Sequence, residues 1–110
     1  MSLWTFKSGR VTFTVFAEEL KEALHKFGRY IRETGRAVEL ALLIAIHREP
    51  SDPQGEKIYL TSLFLVEYAG YSAEEAALFE SRWLRSHGVD VSYGDSLSRI
   101  KSFFAEVRER

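Results

Sequence analysis

The chain has 110 residues, 45% of them hydrophobic and 14% aromatic, which predicts a single globular domain, residues 1–110, with one core. Its formal net charge of −1 gives no overall electrostatic attraction to nucleic acid or to an anionic membrane. The absence of cysteine excludes disulfides, zinc–thiolate sites and thiol catalysis.

The first elements in the chain predict a β-hairpin followed by a helix. Residues 3–7 and 11–16 are rich in β-branched and aromatic side chains, and Ser8-Gly9-Arg10 between them is typical of a tight turn. Residues 17–34 then follow the 3.6-residue period of an amphipathic helix that ends at Gly35. Its apolar stripe consists of Leu20, Leu24, Phe27 and Ile31. We expect Gly28, inside this helix, to allow close packing against the sheet.

Two later runs, residues 38–46 and 58–66, are apolar at almost every position and predict strands with both faces covered. The connector between them, residues 47–57, contains both prolines and predicts a loop that joins a long antiparallel hairpin. One face would carry Leu42, Ile44, Leu60 and Phe64; the second would carry Leu43, Ala45, Tyr59, Leu63 and Leu65. Either the protein's own helices or another copy or partner must cover that second face.

The last third of the chain predicts two more helices. Ser72 with Glu75 matches a capping box, and Gly88 is a typical C-terminal stop. Residues 89–93 predict a short fifth strand, and a third helix would begin at Gly94-Asp95 or Ser96. The chain is therefore expected to have an α+β fold, a mainly antiparallel four- or five-stranded sheet with three helices. This order recurs in unrelated domains and does not assign a function.

One candidate site is a stripe of cationic side chains along the first helix. It consists of Lys21, His25, Arg29, Arg32 and Arg36, which are spaced to follow a phosphate backbone. Glu18, Glu22 and Glu33 lie on or beside it and weaken its field, so an ordinary solvated helix face explains the pattern equally well. Nucleic-acid binding is thus an alternative function.

A second candidate site combines two loops, residues 68–72 and 92–96, which each contain glycine, tyrosine and serine. If both loops join a strand to a helix at one edge of the sheet, the helix N-termini there offer free N–H groups to a small polar ligand. The candidate ligand-binding residues are Tyr68, Gly70, Tyr71, Ser72, Tyr93, Gly94 and Ser96. A small-molecule-binding domain or an enzyme is therefore another alternative, and simple helix capping is the competing explanation.

Catalytic and metal motifs are missing from the sequence. It contains no nucleophile elbow, no phosphate-binding glycine loop and no helical histidine pair. A metal site built from His47 with Glu49 or Asp52 would require the connector to fold back. We therefore predict no catalytic residues, no cofactor and no metal, although a site assembled across the fold would leave no local motif.

Composition also suggests where the protein works. There is no asparagine, a single glutamine and a single methionine, and these thermolabile residues are reduced in hyperthermophile proteins. A GC-rich genome would also lower asparagine, but not glutamine, so we hypothesise a thermophilic source. No apolar run reaches the ~18 residues of a membrane span, and the first residues lack the pattern of a signal peptide. We expect a cytoplasmic protein with no membrane partner.

These observations lead to one functional hypothesis. We expect a small, non-catalytic interaction or assembly module that forms a homodimer or binds another protein. The interface would be the exposed sheet face, an edge strand, or the aromatic hairpin that contains Trp4, Phe6 and Phe13.

Overall fold

The polypeptide forms one four-stranded antiparallel sheet with four α-helices, in a computed structural model that describes residues 1–50 and 55–108. The elements are β1 (Ser2–Ser8), β2 (Val11–Ala17), α1 (Leu20–Thr34), a 3₁₀ turn (Arg36–Glu39), β3 (Leu43–Glu49), β4 (Lys57–Leu60), α2 (Thr61–Glu67), α3 (Ala73–Ser86) and α4 (Tyr93–Arg108). The strand order is β2-β1-β3-β4, and all neighbouring strands are antiparallel. The predicted α+β class and the four-stranded sheet are confirmed. Within residues 1–50 and 55–108, there are four α-helices rather than the three expected.

The opening hairpin forms as predicted, with a two-residue turn at Gly9-Arg10. Gly9 has φ +56, a conformation that glycine adopts without strain. A Cβ at this position would lie 2.3 Å from the Glu39 carbonyl oxygen. The Arg10 N–H donates to that same oxygen at 3.0 Å. The turn is thus held against the end of the 3₁₀ turn, and only glycine fits there.

Helix α1 packs its apolar stripe on the sheet, as its periodicity predicts. Leu24, Phe27 and Ile31 are buried, and Gly35 ends the helix in the left-handed conformation at φ +67. The helix begins at Leu20 rather than at residue 17, because Ala17 still pairs with Ser2 in the hairpin. Gly28 allows a close approach, but to a different neighbour from the one we expected. A Cβ there would meet the Tyr68 carbonyl oxygen just after α2, not the sheet.

The first apolar run is only partly a strand, which corrects the prediction for residues 38–46. Its start belongs to the 3₁₀ turn, and β3 begins at Leu43. The backbone before β3 is held instead by Ser8, whose Oγ accepts from the Ala41 N–H at 2.9 Å and donates to the Leu43 carbonyl at 2.7 Å. A nearby side chain therefore satisfies these backbone groups, so they need no strand ladder.

The second apolar run changes from strand to helix halfway, so the prediction of one strand over residues 58–66 is wrong. Strand β4 ends at Leu60, and α2 begins at Thr61. Thr61, Phe64 and Leu65 are buried at the i, i+3, i+4 spacing of a helix. A short, uniformly apolar run fits a buried strand and a buried helix equally well, which is why periodicity failed here. In the connector, residues 51–54 lie outside the described residues.

Helices α3 and α4 form an antiparallel pair at the end of the chain. The predicted capping box is present: the Ser72 Oγ accepts from the Glu75 N–H at 3.0 Å, and the Glu75 carboxylate accepts from the Ser72 N–H at 3.0 Å. Gly88 follows α3 at φ +82, and the Val89 N–H donates to the Leu84 carbonyl at 2.9 Å. That bond closes α3, so residues 89–93 form no fifth strand.

The helices are stacked in succession on one side of the sheet. Phe27 of α1 stacks on Phe6, Phe13 and Phe64, which joins the sheet to both α1 and α2. Helix α3 packs on α2, and α4 packs on α3. In this last layer, Arg99 of α4 forms an ion pair with the buried Glu80 of α3. Because the layers build outward in one direction, they leave the other side of the sheet uncovered.

Candidate functional site

The side of the sheet that the helices leave uncovered, here called the outer face, exposes several apolar side chains. Its apolar members come from all four strands and are Leu3, Phe16, Leu43, Ala45, Ile58 and Leu60. Phe16 is 59% exposed, Ile58 58% and Leu43 48%. Side chains on the opposite side, such as Phe6 and Ile44, are fully buried. Among the described residues, no helix packs on the outer face.

Polar side chains lie among these apolar ones. Thr5 faces Thr14 across β1 and β2, with their hydroxyl oxygens 3.3 Å apart. Lys7 and Glu49 lie on neighbouring strands near opposite ends of the face. His47 is beside Thr5 in the register, and its Nε2 lies 3.2 Å from a Glu56 carboxylate oxygen. The outer face therefore combines apolar patches, hydroxyl groups and charges of both signs.

The structure redistributes the residues that we assigned to the second face. Leu43 and Ala45 do lie on the outer face. Tyr59 pairs with Ile44 in the register and therefore points to the covered side, while Leu63 and Leu65 belong to α2. The prediction omitted Leu3, Phe16 and Ile58 from this face and placed Leu60 on the opposite one. The signal for Leu3 and Phe16 was present in the alternation of β1 and β2, where both fall on the side of the threonines.

The aromatic hairpin is not available as an interface. Trp4 and Phe6 are buried, and the Trp4 indole N–H donates to the Ala17 carbonyl at 3.1 Å. Phe13 stacks on Phe27 and Tyr30 of α1. These three aromatics form the core between the sheet and α1, because their strand positions all face the covered side.

The cationic stripe is only partly free. Arg36 lies in the 3₁₀ turn after α1, where its Nε donates to Glu39 at 2.7 Å. The guanidinium of Arg32 lies 4.7 Å from the centre of the Tyr71 ring, and His25 meets the Tyr68 ring edge-on. In the described part of the chain, Lys21 and Arg29 are exposed and have no ion-pair partner. The stripe thus offers two unengaged cations rather than five.

The two loops with tyrosine, glycine and serine are not where we expected them. Both join one helix to another, because α2 precedes the first loop and α3 precedes the second. Ser72 caps α3, Gly70 has φ +77, and Ser96 is buried in α4. Tyr93 and Gly94 form the first turn of α4, where the Ser92 Oγ accepts from the Asp95 N–H at 3.0 Å. Capping accounts for the serines at both helix starts.

Tyr68, the first residue of the loop 68–72, belongs to a small aromatic cluster with Tyr59. The Tyr59 hydroxyl donates to Glu67 at 2.7 Å, and the Tyr59 and Tyr68 rings meet edge-on. Burial, together with the Glu67 carboxylate, raises the pKa of Tyr59 far above its usual range, so this phenol stays protonated. Burial also raises the pKa of Tyr68. The Tyr59 hydroxyl keeps its proton and uses it in the hydrogen bond to Glu67, so Tyr59 makes a structural contact and is not a reactive group.

A groove lies between the 3₁₀ turn and α3, on the helical side of the molecule. It has a volume of about 470 Å³, and Val38, Tyr71, Leu78, Phe79 and Trp83 contribute most of its apolar lining. Of the predicted ligand-binding residues, only Tyr71 lines it. No local pattern indicated this groove, because Val38 was predicted to lie in a strand and the groove joins segments that are distant in sequence.

No metal or membrane feature stands out. Within residues 1–50 and 55–108, no three acidic or histidine side chains are grouped so that they would hold a metal ion. Asp52, one of the possible ligands beside His47, lies outside the described residues. No helix in the described ranges has the length and apolar character needed to cross a bilayer.

Comparison with protein-family models, curated proteins and solved structures found no match to this chain. Functional proposals therefore rest on its own surfaces, the outer face and the groove.

Proposed function

We propose that this protein is a small, non-catalytic assembly module that forms a homodimer through the outer face of its sheet. The observation that carries the proposal is the one-sided stacking of the helices, which leaves Phe16, Leu43 and Ile58 about half exposed or more. Exposed apolar clusters of this kind mark interaction sites in soluble proteins. Packing a second sheet on this face would bury those side chains in the manner of a β-sandwich.

The charges of the outer face favour a second copy of the chain as the occupant. Lys7 and Glu49 lie on adjacent strands, toward opposite ends of β1 and β3. A two-fold axis that runs across the strands exchanges the two ends, so each lysine of one copy comes to face the glutamate of the other. Self-complementary charge of this kind orients two copies and disfavours wrong partners.

We expect the protein to have a mass of twice 12.7 kDa in solution, and to keep it over a dilution series. Light scattering behind size exclusion measures this directly. Replacing both Phe16 and Ile58 with threonine should give a monomer, because their exposed apolar area provides much of the contact. Threonine suits a strand and already occupies Thr12 and Thr14 on this face, so the fold should survive.

Val89→Thr is the matched control, since Val89 is 44% exposed in the turn after α3, far from the sheet. This variant should remain a dimer. A monomer at every concentration of the unmodified chain contradicts the proposal. A dimer that the Phe16/Ile58 double variant leaves intact also contradicts it, because the interface then lies elsewhere, for example on the edge strand β2.

We further propose a thermophilic source, in keeping with the near absence of asparagine, glutamine and methionine. The expected result is a Tm above the range of about 45–65 °C that is typical of mesophile domains. Calorimetry at two protein concentrations measures the Tm and separates intrinsic stability from stabilisation by dimer formation. A Tm within the mesophile range at both concentrations would reject this proposal.

A further inference from the structure

The groove beside α3 has an apolar body and one chemically distinct end. Along α3 it extends from Glu75 to Ser86, a length of about 16 Å at the helical rise of about 1.5 Å per residue. A volume of about 470 Å³ spread over that length suits a slender ligand that lies along α3.

At the Glu75 end of the groove, the polar groups already have partners. The Glu75 carboxylate accepts from the Ser72 N–H, and the Arg32 guanidinium lies over the Tyr71 ring. The hydrogen bond from the Ser72 N–H, the Ser72 hydroxyl and the charge of Arg32 all lower the pKa of Glu75, so it stays ionised. At this end, Glu75 and Arg32 therefore already have partners within the protein.

At the opposite end, two donor groups have no hydrogen-bond or ion-pair partner among the described residues, and the arginine that carries one of them is exposed to solvent. Arg82 lines the groove and has no ion-pair partner among the described residues. In the same part of the chain, the indole N–H of Trp83 donates to no acceptor, although the ring itself lines the groove and stacks on His87 at 3.8 Å. A guanidinium and an N–H donor that line the same end of a groove suit a carboxylate, which accepts hydrogen bonds at both of its oxygens.

We propose that this groove binds a single-chain amphiphile with a carboxylate head, of which a medium-chain fatty acid is the simplest case. The head lies at Arg82 and the indole N–H of Trp83, and the chain follows Leu78 toward Tyr71. Apolar lining with a few polar groups at one end is the usual composition of a small-ligand site, and the volume lies within the usual range of about 300–1,000 Å³.

The test is a titration with decanoate, kept below the concentration at which it forms micelles. Trp83 lies in the groove and Trp4 is buried in the core, so the change in tryptophan emission on binding comes from Trp83. We expect a saturable change in emission and a rise in Tm. In Trp83→Phe the emission change should disappear, and the rise in Tm should become smaller because the indole N–H no longer contacts the carboxylate head.

Variants of two arginines on α3 distinguish binding of decanoate at a specific site from its general attraction to the positive charge of the helix. Arg82→Gln should raise the Kd for decanoate about tenfold or more, as expected for losing a hydrogen bond between charged groups. Arg85→Gln is the matched control, because the Arg85 Nε donates to the Ser81 carbonyl at 3.3 Å and the residue does not line the groove. Decanol, which has the same chain without the charge, should bind about tenfold more weakly and be insensitive to Arg82→Gln.

Three results would overturn the proposal. The first is the absence of saturable binding. The second is equal binding of decanol and decanoate, since the unpaired cation then contributes nothing. The third is an equal loss of affinity in Arg82→Gln and Arg85→Gln, which indicates attraction to the overall charge of α3 rather than a site.

Discussion

Replacing Phe27 with alanine is expected to lower the free energy of unfolding by about 4–5 kcal/mol. Phe27 is fully buried, and its ring stacks on Phe6 at 4.7 Å, Phe64 at 4.9 Å and Phe13 at 5.3 Å. Its removal leaves a cavity where β1, β2, α1 and α2 meet. Each aromatic pair is worth about 0.5–1.5 kcal/mol beyond the area buried, so the loss falls near the top of the usual range.

Chemical denaturation at one fixed protein concentration measures this loss, because unfolding of a dimer depends on concentration. The total stability of a chain this size is about 5–15 kcal/mol, so the variant should be only marginally folded. Phe103→Ala is the control: Phe103 is 36% exposed on α4, and its loss should cost less than about 1 kcal/mol. Similar losses in the two variants would mean that Phe27 does not hold the layers together.

Replacing Gly28 with alanine should destabilise the protein by about 2–3 kcal/mol, the opposite of what helix propensity predicts. In an isolated helix, alanine is favoured over glycine by about 1 kcal/mol. Here the new Cβ would lie 2.1 Å from the Tyr68 carbonyl oxygen and 2.4 Å from its carbon. Both atoms are backbone, so no side chain can rotate away, and α1 must separate from the segment that follows α2.

Gly94→Ala is the matched control, because it makes the same glycine-to-alanine change in a helix where a Cβ has room. Gly94 lies in the first turn of α4, where the nearest atom to a new Cβ is the Ser92 Oγ at 3.9 Å, an ordinary contact. This variant should be neutral or more stable by up to about 1 kcal/mol. Denaturation midpoints of both variants test the pair. A Gly28→Ala variant as stable as the unmodified chain would show that α1 and Tyr68 are not in close contact.

The outer face and the groove are on different sides of the fold, so their tests are independent. The outer face is formed by the strands alone, and the groove by the 3₁₀ turn, α2 and α3. The Phe16/Ile58 double variant should therefore bind decanoate with an unchanged Kd. Arg82→Gln should likewise leave the dimer intact. Failure of one proposal does not affect the other.

Local signals predicted the elements that are stabilised within a few residues of sequence. The stripe of α1 and the Ser72–Glu75 capping box were predicted, because residues a few positions apart define them. The turn at Gly9-Arg10 was predicted from its residue types, although its Arg10 N–H donates to the distant Glu39 carbonyl. The strand–helix change at Thr61 was missed. There, the Thr61 N–H donates to the Leu42 carbonyl at 2.9 Å and its Oγ1 to Ala41 at 2.6 Å, contacts about twenty residues away in sequence.

By itself, the sequence determined the fold class, the opening hairpin, α1 and the start of α3, since hydrophobic period, turn residues and caps act over short distances. It also predicted that both faces of the sheet need a cover, and it left open whether the protein's own helices or a partner supply that cover. Only the tertiary structure decided that all helices stack on one side, that the outer face stays open, and that Val38, Arg82 and Trp83 line one groove. Those outcomes depend on strand register and on packing between distant segments, which no local pattern encodes.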